Sequence, residues 1–416
     1  MVVLKENNLL NSLSQMGVDL GAKSQAFELL KGLEFPTRKT EDWRYTSVKK
    51  ILKKKYVQFN EAEEVGLSNE IVPSLDAYNI VLVNGVYSKV LSDVNFPDAV
   101  VIDTFPNAME EDVSLIHSTF NVIAKNKEEV FTALNTSYFH EGVFIHIPKK
   151  VKLEKPIHVI YVNTKSNVVS NVRLLIVADS FSEVGIVQSF ASVNAIDCLT
   201  NSVTEVFVKE NAKVALDKVQ CEEPNNNLIC TVQVNQKDNS TFKINTATVS
   251  GDFVRNGVNI DVDGENCTSE MNGLYMQKGI QHVDNHTKVS HLKPNCTSFE
   301  LYKGVLRDKS TGVFNGKVIV EVDAQKIEAY QQNKNIILSR EATMNAKPEL
   351  EIFADDVKCS HGTTTGQFDE EAIFYLQTRG ISKELAKNLL VEAFADEVLD
   401  KVDSEELRIW IKEKLG

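Results

Sequence analysis

The sequence of 416 residues lacks the features of a membrane, secreted or nucleic-acid-binding protein. No apolar run approaches the ~20 residues that a membrane-spanning helix requires. The N-terminus has no basic segment followed by an apolar one, so we find no secretory signal and expect a cytoplasmic protein. The six cysteines are dispersed without a CxxC pair, which predicts free thiols in a reducing compartment. A net charge of -13 argues against a general nucleic-acid binder, which needs a basic face to meet phosphates.

The short motifs of several enzyme classes are also missing. There is no GxxxxGK(S/T) loop to hold nucleotide phosphates, no HExxH zinc motif, and neither GxSxG nor GxGxxG. The chain therefore has no phosphate-binding loop of its own, and no short motif indicates that it carries a complete catalytic centre.

Residues 1–141 are predicted to form a helical and mixed N-terminal region. Leucines at steps of three and four give residues 2–33 a helical period, and a second helix is predicted over residues 110–134. Between them, an alternating apolar run meets Asn84-Gly85, a pair that is typical of a tight β-hairpin turn.

From residue 142 to residue 366 the pattern changes to short β-branched strands separated by polar turns. The last apolar residue before each turn recurs at steps of roughly 26–31 residues, a span typical of solenoid repeats. These aligned residues are Val177, Val208, Val234, Val262, Leu292, Val322 and Phe353. A repeat made only of strands must stack on its neighbours to bury its apolar face, which favours a parallel β-helix. A large antiparallel sandwich is the alternative, because alternating segments fit either fold.

Residues 367–416 are predicted to form a C-terminal helical domain. Asp369 and Ser382 are candidate N-caps, and Gly380 is suited to end the first helix in a left-handed conformation. Apolar residues at helical spacing form a stripe that we interpret as core, with docking of another protein as the alternative. The stripe contains Leu385, Leu389, Leu390, Ala393, Phe394 and Val398.

Cys359 and His361 are the main candidates for a functional site. They follow a strand around Leu350 that we expect to be buried, and they precede the C-terminal helices. Residues two apart in a strand point to the same face, so the thiol and the imidazole would lie side by side. A neighbouring imidazole favours thiolate, the form that binds soft metals and sulfur. From these residues alone, a buried cysteine beside a structural histidine remains the alternative, and Cys/His hydrolase chemistry is also open.

A group of histidines suggests a second hypothesis, a self-contained metal-binding protein. His282, His286 and His291 form the densest histidine group in the sequence. Their spacing resembles helical zinc sites, but this segment is predicted to be strand and turn, which favours ordinary structural histidines.

Acidic residues suggest a third hypothesis, a β-helix enzyme that acts on carbohydrates. Asp355 and Asp356, with Asp323 one repeat earlier, would supply the paired carboxylates that glycoside hydrolysis requires. The missing secretory signal and the lack of an aromatic row for stacking sugars argue against this hypothesis.

Three well-separated segments resemble the SufB/SufD family of iron–sulfur cluster assembly scaffolds. They are FPTRKTEDWRYT near the N-terminus, HLKPNCTSFELYKGVL in the middle and LEIFADDVKCSHGTTTGQFDEEAIFYLQTRGI near the end, in the family order. The stretch DDVKCSHG and the absence of a CxxCxxxC motif make the chain more similar to the SufD branch than to the SufB branch.

The resemblance implies a right-handed parallel β-helix between helical N- and C-terminal regions. It also implies a non-enzymatic scaffold subunit that works with SufB and the ATPase SufC. SufC would dock on the C-terminal helices, and SufB, or a second copy of the isolated chain, would pair with the end of the solenoid. In the family the histidine of the CSHG segment faces the partner and is implicated in cluster assembly; here it is His361, with Cys359 in the same motif. We therefore expect no tightly bound cofactor on the isolated chain, but transient iron or an iron–sulfur cluster at the SufB interface.

Overall fold

The computed structural model describes residues 7–14, 22–111, 113–124 and 129–415, and the strands in these ranges form two large β-sheets. In spatial order the ten-stranded sheet contains β2 (Val86–Tyr87), β1 (Tyr78–Val83), β5 (Ile157–Asn163), β7 (Glu183–Ser192), β9 (Lys213–Cys221), β11 (Thr241–Ser250), β13 (Thr268–Gln277), β15 (Thr297–Leu306), β17 (Ile327–Ile337) and β19 (Val357–Gly366). The nine-stranded sheet contains β3 (Val101–Thr104), β4 (Gly142–Ile147), β6 (Val169–Ala178), β8 (Leu199–Val208), β10 (Asn227–Gln236), β12 (Phe253–Val262), β14 (His282–His291), β16 (Thr311–Val320) and β18 (Thr343–Ile352).

From β4 onward, successive strands alternate between the two sheets, and neighbouring strands within a sheet are parallel. Each coil of the chain therefore adds one strand to each sheet, which is the arrangement of a parallel β-solenoid. The predicted solenoid is confirmed, and the antiparallel sandwich is wrong.

The register differs from the alignment predicted from the last apolar residues. Val208 and Val262 occupy equivalent positions in the structure. Each of the other aligned residues lies one or two positions away from the residue of its own strand that is equivalent to Val208. The inward-facing position at the end of the strand is polar in two coils, where Gln236 and His291 are fully buried. The last apolar residue therefore does not mark the end of every strand.

Turns before the strands of the ten-stranded sheet repeat the same backbone conformation. Asn211, Asn239, Asn266 and Asn295 each lie two residues before a strand, and their φ values range from 55° to 62°. Asparagine tolerates this left-handed conformation better than most side chains because it is short and polar. The repeated turn explains the asparagine-rich segments between the strands.

The N-terminal region contributes helices and the first strands of both sheets. Its helices are α1 (Asn8–Asn11), α2 (Ala22–Gly32), α3 (Lys49–Lys53), α4 (Phe105–Glu111), α5 (Val113–Thr119) and α6 (Val130–Tyr138). All nine residues of α6 are buried, and the Asn135 Nδ2 donates to the carbonyls of Val172 and Asn201, both at 2.9 Å. This helix therefore attaches the region to the nine-stranded sheet at β6 and β8.

The predicted elements of this region are only partly correct. The hairpin turn is confirmed, with φ of 53° at Asn84 and 85° at Gly85 between antiparallel β1 and β2. The single helix predicted over residues 110–134 is wrong, because α5 ends at Thr119 and α6 begins at Val130. In the N-terminal 33 residues, α1 and α2 are separate helices, and residues 15–21 lie outside the described ranges.

The C-terminal helices are α7 (Glu370–Thr378), α8 (Lys383–Leu399) and α9 (Glu405–Leu415). The predicted caps are confirmed: Asp369 accepts a hydrogen bond from the Glu371 amide, Ser382 accepts one from the Leu385 amide, and Gly380 has a φ of 85°. None of the helices in the described ranges is long and apolar enough to cross a membrane.

The predicted apolar stripe on α8 is mostly not core. Leu385 is 51% exposed and Leu389 is 38% exposed, whereas Val398 and Leu399 are buried against the ten-stranded sheet. Trp410 of α9 joins the same cluster, and its Nε1 donates to the Asn69 carbonyl at 2.5 Å. Helical spacing identified an apolar surface on α8, but contact with the sheet selected a different face.

A buried ion pair attaches the segment around Trp43 to the outer face of the nine-stranded sheet. The Trp43 ring lies 3.7 Å from the Arg255 guanidinium, which forms an ion pair with Asp284. Thr46 Oγ1 and His286 Nε2 also approach the Asp284 carboxylate, at 2.5 and 2.9 Å. Burial opposes ionisation of Asp284, but the Arg255 charge, His286 and Thr46 outweigh it and hold the pKa of the carboxyl well below its ordinary value.

We expect Asp284→Asn to lower the free energy of unfolding at pH 7 by about 3 kcal/mol, because the buried Arg255 charge loses its partner. The measurement is urea-induced unfolding. The control is Glu341→Gln, which removes an exposed ion pair with Lys309 and should change stability by less than about 1 kcal/mol.

The same pair predicts a pH dependence. The folded-state pKa of Asp284 is lowered, so its contribution is complete above the ordinary aspartate pKa of about 3.9 and is lost as pH falls below it. Equal stability losses for the wild type and Asp284→Asn between pH 5 and pH 3 would contradict this assignment.

Candidate functional site

Cys359 and His361 lie on β19, at the edge of the ten-stranded sheet. β19 pairs in parallel with β17, so Cys359 is opposite Ala329 and His361 is opposite Gln331. Ala329 and Gln331 are buried and alternate with more exposed residues, which shows that they face the interior of the solenoid. Cys359 and His361 occupy the next inward-facing positions and share one face of β19, as their spacing predicts.

The solenoid is uncovered at the end formed by β18 and β19. Each of these strands has a neighbouring strand on one side only within the described sheets. Side chains that would be buried by another coil remain partly or fully exposed here. We call this surface the open end, and define it as the free edges of β18 and β19 with the inward-facing residues Met344, Leu350, Ile352, Val357, Cys359 and His361.

The expectation of a buried strand around Leu350 is therefore wrong. Leu350 is only partly buried, and Ile352 is 38% exposed. The physical reason is the position of the strand: β18 pairs with β16, and in the part of the chain that the structure describes no further coil covers its other side.

The two side chains differ in their surroundings. Cys359 is partly buried against the core, and burial raises the pKa of its thiol, although a backbone hydrogen bond opposes the shift. The expected thiolate is thus not favoured in the chain alone. The His361 side chain is exposed and makes no hydrogen bond to the residues that the structure describes.

The other cysteines are structural in character. All six cysteines are free, as predicted, and Cys198, Cys230, Cys267 and Cys296 are buried. Cys221 is half-buried on β9, and burial raises the pKa of its thiol. Cys359 is thus the cysteine that belongs to the open end.

The metal site suggested by the histidine group is not present. His282 and His286 lie on the outer face of β14, near the N-terminal segment, whereas His291 faces the interior. The His291 Nε2 is 3.0 Å from Ser298 Oγ, and burial lowers the pKa of the imidazole to about 4. Within the described ranges, no group of three or more His, Cys, Asp or Glu side chains is placed to hold a metal ion.

The acidic residues do not form the ladder on stacked strands that the carbohydrate hypothesis requires. Asp355 and Asp356 lie in the exposed turn between β18 and β19, and Asp323 lies in the exposed turn after β16. The Asp356 carbonyl accepts a hydrogen bond from the Lys326 amide, which is a turn contact between neighbouring coils.

Sequence reasoning did not identify two polar residues that lie beneath His361 in the interior. Gln331 Nε2 donates to Glu300 Oε2 at 2.8 Å, and Thr287 Oγ1 donates to Glu300 Oε1 at 2.5 Å. Burial raises the pKa of Glu300 to about 7, although both hydrogen bonds oppose the shift. Correct alignment of the coils would have shown that Glu300, Gln331 and His361 occupy equivalent positions.

Two protein-family models together match most of the chain. A family model described as the SufBD core domain of SUF system FeS cluster assembly matches residues 161–394. The chain belongs to the SufBD family. A second model, for the N-terminal region of SufBD proteins, matches residues 6–159. The resemblance seen in three segments is thus confirmed, and the open end lies within the matched SufBD core domain.

SufD proteins are among the relatives of this SufBD family member. It is 28% identical over 396 residues to the iron–sulfur cluster assembly protein SufD of Escherichia coli, covering 92% of this chain and 88% of that protein. It is 28% identical over 418 residues to a SufBD family protein of Synechocystis, covering 96% and 90%. Against SufD of Bacillus subtilis, the identity is 28% over 287 residues, covering 68% and 65%.

The raised pKa of Cys359 predicts slow alkylation at neutral pH. We expect iodoacetamide to modify Cys359 more slowly than a free cysteine at pH 7, with a rate that continues to rise above pH 9, because less of the thiol is ionised. Peptide mass spectrometry measures the rate, and the half-buried Cys221 is the internal reference. Faster modification of Cys359 than of free cysteine at pH 7 would show that His361 activates the thiol after all.

Proposed function

We propose that this SufBD protein is a non-catalytic scaffold subunit that pairs with SufB and binds the ATPase SufC to support iron acquisition and nascent cluster assembly. The observation that carries the proposal is the open end. It combines two unpaired strand edges, uncovered apolar side chains, and a thiol and an imidazole that do not complete a metal site by themselves.

The open end is suited to a partner with a similar solenoid. An unpaired strand edge presents N–H and C=O groups that another strand can bind. A partner that covers the apolar residues of the open end also removes them from water, which is favourable. Pro348 removes one N–H donor from β18, so β19 offers the more complete edge. SufB, a member of the same family, is the proposed partner, and a second copy can occupy this surface when the chain is isolated.

His361 and Cys359 are the proposed ligands for the iron or cluster under assembly. A neutral imidazole and a thiolate are both good ligands for iron and iron–sulfur clusters. Metal binding displaces the thiol proton, so a raised pKa in the free chain does not prevent Cys359 from acting as a ligand in the complex. Two ligands are too few for a stable site, which fits transient binding completed by groups from SufB.

The C-terminal helices are the proposed surface for SufC. Phe374 and Tyr375 on α7 are 67% and 58% exposed, and Leu385 and Leu389 on α8 are also exposed. Exposed apolar residues of this size on a pair of well-capped helices are typical of a protein-binding surface. SufC supplies the ATP chemistry for which this chain has no motif, and its ATP cycle would move the interface between SufB and this chain.

We expect His361→Ala to reduce iron and acid-labile sulfide in the purified complex with SufB and SufC by roughly tenfold, since a ligand is removed. Both are measured per complex after anaerobic purification. The control is His117→Ala, which removes an exposed histidine on α5. Unchanged iron and sulfide in an intact His361→Ala complex would rule out the site.

We expect the double variant Phe374→Ser, Leu385→Ser to weaken SufC binding by at least about tenfold, because apolar contacts at the centre of an interface dominate its affinity. Affinity is measured by calorimetry with purified SufC. The matched control is Val90→Ser, which replaces an apolar residue that is 72% exposed in the N-terminal region. Full retention of SufC affinity by the folded double variant would place the SufC surface elsewhere.

A further inference from the structure

A column of polar side chains leads from the solenoid interior to the open end. Glu300 on β15, Gln331 on β17 and His361 on β19 are in register, one above the other. Side chains at such positions point to the same face and lie about 4.8 Å apart at the backbone. The column therefore places a single amide between a buried carboxylate and an exposed imidazole.

Glu300 fixes the orientation of that amide. At pH 8, above its raised pKa of about 7, the Glu300 carboxylate is ionised and only accepts hydrogen bonds. The Gln331 NH2 therefore faces Glu300, in agreement with the 2.8 Å contact. The carbonyl oxygen of the amide, Oε1, is then directed away from Glu300. Gln331 is 1% exposed, and its Oε1 is buried without a hydrogen-bond partner among the described residues.

Neighbouring amides on β17 do not share this property. Asn333 Nδ2 donates to the Tyr275 hydroxyl at 3.2 Å and to the Tyr302 carbonyl at 3.3 Å, and its Oδ1 accepts from Asn335 at 2.6 Å. Both asparagines are thus engaged in the interior network. The unused acceptor belongs to the residue that pairs with His361.

We propose that Gln331 is a positioning residue for His361, an inference that rests on the proposed role of His361 as a ligand. The imidazole turns inward about its side-chain bonds, and one ring N–H donates to Gln331 Oε1. This contact selects one tautomer and leaves the other ring nitrogen unprotonated and directed to the open end. Histidines that bind metals generally donate their second ring N–H to a fixed acceptor in this way.

Gly316 on the facing sheet supports the same arrangement. A Cβ at this position would lie 2.3 Å from Gln331 Nε2. The Phe314 Cζ would lie 2.7 Å from the same Cβ. The amide and this ring therefore occupy space that only glycine leaves free, and Gly316→Ala displaces the amide without changing its chemistry.

The test uses the full-length chain labelled with 15N-histidine at pH 8, without SufB, SufC or metal. The imidazole nitrogen resonances of His361 are assigned with His361→Ala. In the wild type we expect two well-separated ring nitrogens, as for a single tautomer. In Gln331→Met, which keeps the length but removes the acceptor, and in Gly316→Ala, the two resonances should move toward their average.

Gln332→Met is the matched control, because Gln332 is the next residue on β17 and is exposed; it should leave the His361 resonances unchanged. Averaged resonances in the wild type, or resonances that do not change in either variant, would overturn the proposal. The readout contains no iron, so a failure of His361→Ala to lower iron in the complex would reject the proposed ligand role separately.

Discussion

Each coil of this solenoid depends on the next coil to bury its interior. The parallel strands pair residue for residue, so an inward-facing side chain packs against the equivalent residues above and below it. In such a stack each coil buries its apolar side chains only against its two neighbouring coils. The last coil has one neighbour, so its inward-facing side chains are only partly covered. β18 and β19 have a neighbour on one side only in the described sheets, and their inward faces are correspondingly exposed. The open end is a direct consequence of the architecture.

The helical regions leave this end uncovered because they pack elsewhere. α6 packs on β6 and β8 of the nine-stranded sheet, and α8 and α9 pack on β11, β13 and β15 of the other. Polar contacts hold these positions, including the hydrogen bonds of Asn135 on α6 to the Val172 and Asn201 carbonyls and of Lys303 on β15 to the Phe394 carbonyl on α8. The outer faces of both sheets are thus partly covered, while the last coil keeps its edges free.

At one inward-facing position the last coils differ chemically from the coil before them. Toward the open end, Glu300, Gln331 and His361 introduce polar groups at one inward position, where β13 carries Met271. A buried polar group needs a partner, and the hydrogen bond between Glu300 and Gln331 meets that need for the Glu300 carboxylate and the Gln331 NH2. At His361 the column reaches the surface, and the remaining hydrogen-bonding capacity is available to a ligand or another chain.

Local rules were enough to predict the hairpin turn and the caps of α7 and α8, because each depends on residues close together in sequence. The repeat followed from regular spacing along the chain, the free cysteines from their dispersal, and the family from three matching segments. The register of the coils was not predictable, since Gln236 and His291 end their strands with polar residues that only stacking places inside. Contacts with the sheet determined which face of α8 is buried. The alternation of side chains along β14 places His291 on the opposite face from His282 and His286. The sequence by itself determined that Cys359 and His361 share a face of one strand. Only the tertiary structure decided that this face is exposed, because its exposure depends on the absence of another coil beyond β18 and β19 in the described sheets.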